Sequence, residues 1–284
     1  MKRTLFYLPL GLLMLAVASC TKEPVPAAPG ASLPPEPADA AQTGAASLLP
    51  AKRLQKVMVA GSTVPYLAFT YDTKGRLASS VNYLFGGYYL FTYQDAAGTV
   101  LVRRKNSLQG QTLDSLIGKL NASGRLTELG GIRTAVTSAG KVVSTVKFTF
   151  TYNAAGQLIK ADGYEKTNGV VTYPKLVYSW QDGNLTQVTS TLGNITSYIK
   201  YKYDVTRADK QGLWENNLIG WTDNLVGVRS KHLRVQTTVG SNDPKNHPFI
   251  TTQRWSLNAG GYPATGLMIF NISDIKLNLT YQFQ

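Results

Sequence analysis

Across 284 residues there is one cysteine, Cys20, and there are two histidines, His232 and His247. A single thiol placed just after a leader excludes disulfides and thiol catalysis from the body of the chain. Two histidines with no cysteine to support them make a poor metal set. No metal, cofactor or catalytic residue is therefore expected. The chain also lacks a glycine-rich phosphate loop and a nucleophile elbow, because its glycines fall at turn positions. Acid is scarce as well: 16 Asp and Glu face 29 Lys and Arg, a formal charge of +13. The charges of the leader and of the acidic stretch behind it offset each other, so residues 51–284 carry about +13 themselves. Of the carboxylates after residue 50, Asp72, Asp95, Asp182 and Asp204 stand at turn positions. Asp162 with Glu165 is the best remaining local pair for two-carboxylate glycoside chemistry. A glycan-acting hydrolase of the cell envelope is accordingly the alternative to a non-catalytic protein.

The first residues contain Lys2 and Arg3, then an apolar run from Leu5 to Ala18 that is too short for a membrane span. The run ends in Val17-Ala18-Ser19-Cys20. This resembles the lipobox of bacterial lipoproteins, which implies a signal peptide over 1–19 and a diacylated Cys20 as mature N-terminus. With Thr21 rather than aspartate next, the resemblance implies the outer membrane. The short Lys22-Glu23 pair leaves open whether the domain faces the periplasm or the cell surface. Residues 20–50 are rich in Pro, Ala, Gly and Ser and have almost no large apolar side chains, so they are expected to be a disordered tether.

Residues 51–284 are expected to form one all-β domain, since Tyr, Thr, Val, Asn and Gly dominate it. "FTYDTKGRL" at 69–77 returns as "FTYNAAGQL" at 150–158. Aligned on the residue before the turn, the anchors are Tyr71, Tyr93, Leu120, Tyr152, Trp180 and Tyr203. Before each anchor the pattern alternates with period two, as in Phe148, Phe150 and Tyr152 against Lys147, Thr149 and Thr151. Asp72-Thr73-Lys74-Gly75 reads as a type I turn with glycine at a left-handed bulge, which sets Tyr71 opposite Leu77. The shorter Asp182-Gly183 turn sets Trp180 opposite Leu185, and at Asp95–Gly98 the turn lies one residue late. Turns at both ends of each unit predict an antiparallel up-and-down meander over 66–206, followed by a short helix or loop break over 207–232. Closing strands are expected over 233–284. So many strands curl, predicting a strongly coiled sheet or partly closed barrel; a membrane-spanning barrel is the structural alternative.

These hairpins resemble the YD repeats of Rhs-type wall proteins, in about six copies and without a toxin extension. Lipobox, tether and hairpins together resemble the secreted Bacteroidota-type lipoproteins of unknown function. The resemblance implies an envelope-anchored binding module or interaction scaffold and supplies no catalytic residues. Export makes nucleic acid an unsuitable partner for the positive charge, and an anionic glycan or envelope protein a better one. Aromatics off the repeat register are the candidate ligand contacts: Tyr66, Tyr88 and Tyr198 on the polar strand faces, and Trp214 and Trp221 in the break.

Overall fold

The structure, a computed structural model, describes residues 52–83, 87–107, 109–138, 140–210, 224–243, 246–271 and 275–284. The leader, Cys20, the tether, Trp214 and Trp221 lie outside the described residues. The chain separates into two units, Met1–Leu49 and Pro50–Gln284, of which the second is the β domain.

Its strands are β1 (Leu54–Val59), β2 (Pro65–Tyr71), β3 (Leu77–Asn82), β4 (Gly87–Gln94), β5 (Thr99–Lys105) and β6 (Thr112–Leu120). There follow β7 (Leu126–Thr137), β8 (Gly140–Tyr152), β9 (Leu158–Thr167), β10 (Val170–Thr172), β11 (Lys175–Gln181) and β12 (Asn184–Leu192). The last five are β13 (Ile195–Ala208), β14 (His232–Ser241), β15 (Phe249–Leu257), β16 (Pro263–Phe270) and β17 (Lys276–Phe283). Every pairing is between antiparallel strands, nearly all of them consecutive in sequence, and β1 pairs with both β2 and β17, so the meander closes into a barrel. Arg53 and Gln284 exchange both backbone hydrogen bonds at 2.9 Å to seal that seam. β10 and β11 both pair with β9 and are separated only by Tyr173-Pro174. They fill one position in the wall, which makes it a 16-strand barrel. Proline cannot donate to a ladder, and here the amide of Gly163 instead donates to the Pro174 carbonyl at 2.7 Å.

One face of nearly every strand carries its buried residues although the sheet is a single layer. Only the barrel's own far wall and the segment that carries the buried Leu225 and Val226 can cover that face, so it is the inside. Phe69, Phe91, Phe148, Phe150 and Tyr178 point there, with Lys147, Thr149 and Val177 on the outside. At the repeat-turn end the inside is apolar, walled by Leu77, Leu126, Leu158, Leu185 and Leu233. After an undescribed stretch, the break continues as a 3-10 turn at Asn224–Val226. Leu225 and Val226 are buried, and the segment is sewn to the repeat turns: Val228 N donates to Gly156 O and Lys231 N to Gly183 O, both at 3.1 Å.

The registers agree with the turn chemistry. Tyr71 faces Leu77, Leu120 faces Leu126, Tyr152 faces Leu158 and Trp180 faces Leu185. Asp72, Asn121 and Asn153 each accept at their carbonyl from the glycine three residues on, and Gly75, Gly124 and Gly156 have φ of 75°, 73° and 76°. The late turn is a 3-10 turn over Asp95–Ala97, and there Tyr93 faces Val100. Lys74 and Arg76 both hold Asp95, whose carboxyl is lowered to about 2, first by the hydrogen bond from Arg76 and then by that from Lys74.

A second bulge, not foreseen from the turns, follows the leucine in these hairpins. Tyr71 faces Leu77 but Thr70 faces Ser79, leaving Ala78 extra; Thr127, Ile159 and Thr186 are extra in the same way. The bulge puts residues three apart on one face of a strand. Leu54 and Val57, Leu77 and Ser80, Leu126 and Leu129, Leu158 and Ala161, Leu185 and Val188 are all buried. It also strands the leucine carbonyl, because the ladder to the following strand starts only two residues later, at Ser79–Leu90, Glu128–Thr149, Lys160–Val177 and Gln187–Lys200. The next anchor aromatic supplies the missing donor. Tyr71 OH donates to Leu54 O at 2.8 Å, Tyr93 to Leu77 at 3.2 Å, Tyr152 to Leu126 at 2.7 Å and Tyr203 to Leu185 at 2.6 Å. The Trp180 indole donates to Leu158 O at 2.8 Å, and Trp255 to Arg234 O at 2.7 Å. The β4–β5 hairpin has no such bulge, so the β5–β6 ladder runs to its end. There Leu120 N itself donates to Gly98 O at 2.8 Å, and the anchor has no polar tip.

Candidate functional site

Of the aromatics singled out from sequence, the three among the described residues, Tyr66, Tyr88 and Tyr198, do not come together. Tyr198 lies on the outer face of β13, where Lys200 stands 4.8 Å from its ring centroid, and its ring covers Gly240 of β14. Tyr88 lies on the outer face of β4, edge-on to Tyr83 at 5.9 Å. Tyr66 corrects the expectation of a polar-face residue. It is the extra residue where Val57 faces Leu67 and Met58 faces Pro65, and that bulge turns it inward. Burial raises its phenol pKa against the lowering influence of Arg234, a residue of β14 on another part of the wall. His232 opens β14, and its amide donates to Asn184 Oδ1 at 3.1 Å. Among the described residues no three His, Cys, Asp or Glu side chains gather as metal ligands.

Asp162 and Glu165 are separated by the sheet. Gly163 faces Phe148 and Glu165 faces buried Val146, so Glu165 is on the inner face. Asp162 is on the outer face, bound to Lys160 at 2.7 Å. Residues three apart on an unbulged strand point to opposite sides, so this pair cannot work on one glycosidic bond.

The outer face carries charge on strand after strand: Lys119, Lys147, Lys175, Lys200, Lys202 and Arg254 are all exposed there. Each Lys or Arg facing lipid at the midplane costs about 2–4 kcal/mol.

On that wall the registers of four strands assemble a groove. One row runs Ile117 on β6, Gly130 on β7, Lys147 on β8 and Tyr164 on β9, each facing the next. Gly130 contributes no side chain, so a trough of about 440 Å³ opens between Ile117 and Lys147, with Tyr164 at its far side. The row covers three strand spacings, about 14 Å. Along one edge Glu128 pairs with Lys119 at 3.2 Å and Lys147 at 3.9 Å, and Thr145 lies toward the other. Ile117 is 60% exposed despite being a large apolar residue. Beside the groove Tyr173, in the interruption between β10 and β11, is 71% exposed and meets Tyr164 edge-to-face at 6.0 Å. Pro174 holds the chain out of the ladder at this point, which is why an aromatic can stand out from the wall here. An apolar floor, two accessible aromatic rings and cationic tips can hold a ligand.

The residue reading missed this site. Gly130-Gly131 in the middle of a strand is the signal that could have found it, since interior strand glycines mark close approach or a gap.

No protein-family description matches the chain, and no curated protein matches it. Solved structures do. A porin-like protein from Bacteroides uniformis superposes with a TM-score of 0.53 at 14% identity, covering 82% of this chain and 97% of that one. A porin-like protein from Bacteroides vulgatus superposes with a TM-score of 0.58 at 13% identity, covering 81% of this chain and 98% of that one. At such identities the likeness concerns the fold, and it extends to nearly the whole of both neighbours.

Proposed function

We propose that this chain is a non-catalytic envelope lipoprotein, anchored in the outer membrane through lipid on Cys20, whose barrel stands in water and binds a ligand on its outer wall. The groove over Gly130 is the observation that carries this reading, because it lies on a polar, charged face where a lipid-embedded porin would need an apolar band. The porin-like neighbours support an envelope setting. Acyl chains contribute about 0.8 kcal/mol per buried methylene, and two or more chains make anchoring stable. Membrane attachment therefore falls to the lipid and not to the wall. Cys20→Ser should leave the membrane fraction or remain unprocessed, and incorporation of an alkyne fatty acid should disappear. Labelling that persists in Cys20→Ser, or membrane retention at the wild-type level, would overturn the anchor.

A further inference from the structure

The groove's surroundings say which ligand it fits. We infer that it binds an acidic polysaccharide, with sugar rings resting on Tyr164 and Tyr173 and the acid groups held by the lysines of the β8–β11 wall; this rests on the binding-module reading above. The rows on either side of the groove extend its charge. Lys160, Lys166 and Lys175 lie on the same outer face as Lys119 and Lys147, against Glu128 and Asp162 alone. Glu128 is engaged by Lys119 and Lys147, and Asp162 by Lys160. Lys166 and Lys175 are exposed and have no carboxylate within 4 Å among the described residues. The face therefore presents uncompensated positive charge, which favours an anionic ligand.

The two tyrosines narrow the class of anion. An aromatic ring has a negative face and attracts the slightly positive C–H groups on one side of a sugar ring. A phosphate or sulfate ion alone has nothing to place on Tyr173. Neither the aromatic pair nor the trough is needed to bind a lipid surface or nucleic acid, for which scattered cations suffice.

The test uses full-length protein with fluorescein-labelled polygalacturonate, and with unlabelled dextran, duplex DNA and phosphatidylglycerol vesicles as competitors. Four variants are compared. Lys147→Glu removes a cation and Tyr164→Ala a ring. Gly130→Thr fills the trough; Gly130 does not have positive φ, and a Cβ there would meet the Val146 carbonyl at 3.3 Å, a tight contact, and Lys147 at 3.8 Å. Lys200→Glu makes the same charge change elsewhere on the wall. Lys147→Glu, Tyr164→Ala and Gly130→Thr should each weaken polygalacturonate binding by about tenfold or more. Lys200→Glu should weaken it by less than about twofold, and dextran should not compete. Circular dichroism and urea midpoints close to wild type establish that each variant is folded; Tyr173→Ala, which removes the second, largely exposed ring, serves in place of an unfolded Tyr164→Ala and should weaken binding in the same way.

Equal losses in Lys147→Glu and Lys200→Glu would overturn the inference in favour of unspecific charge attraction. So would DNA or vesicles competing as well as the uronate polymer. Dextran competing equally, with Lys147→Glu silent but Gly130→Thr impaired, would overturn the acidic ligand and leave the groove standing. Absence of binding by any polysaccharide would remove the groove reading itself.

Discussion

Gly156 shows how much one residue can carry in this barrel. Its φ of 76° is a conformation that strains any side chain. It is also buried, unlike Ala154 and Ala155 before it in the same turn. The Arg125 guanidinium lies where a Cβ would be, and Val228 N donates to the Gly156 carbonyl from the segment that closes this end of the barrel. Gly75 under Arg53 and Gly183 under Lys231 have the same arrangement. Gly156→Val should therefore destabilise by about 1–2 kcal/mol from left-handed strain, plus the displacement of Arg125. Ala155→Val, one residue earlier and exposed, should have a small effect. Urea midpoints decide the matter; equal midpoints would mean that the left-handed turn position contributes nothing to stability.

Among the elements, the unit that repeats is the strand pair joined across hairpins by an aromatic tip. Tyr152→Phe keeps the ring and deletes only the hydroxyl that serves the Leu126 carbonyl. Leu126 is fully buried, so a carbonyl left without its donor should cost about 1–2 kcal/mol. Tyr88→Phe, on the outer face, is the comparison and should be near neutral. A urea midpoint for Tyr152→Phe as high as for Tyr88→Phe would remove the stitching role. Much of this level was legible in the sequence. Asp72 to Gly75 and Asp182-Gly183 determine their turns locally, and Phe148, Phe150 and Tyr152 declare a face by alternation. The post-leucine bulge was present too, as Leu126-x-x-Leu129 and Leu185-x-x-Val188, but a spacing of three contradicts strand periodicity and so carried no message. Tyr66 was assigned to the wrong side for the same reason, because one extra residue reverses every side assignment beyond it.

For the whole molecule, the sequence indicated curling but not closure, because the pairing of Val57 with Tyr281 is encoded by neither segment alone. The groove is non-local as well: Ile117, Gly130, Lys147 and Tyr164 become a row only after three registers are known. The polarity of the two faces is a property of the entire wall, and on the function proposed above it separates this barrel from a channel. Full-length protein added to planar lipid bilayers should produce no stepwise conductance at any protein concentration that leaves the membrane intact. Discrete, reproducible steps would mean that the charged outer face tolerates lipid. The closing seam has a further consequence, in time rather than in space. β1 emerges early from the ribosome, but the partner for its second edge, β17, is made last. Until then the growing sheet has two unpaired edges, each a template for the wrong strand. Contacts this distant along the chain form slowly, so the sheet stays open while the chain is made and becomes a barrel only once β17 has joined β1.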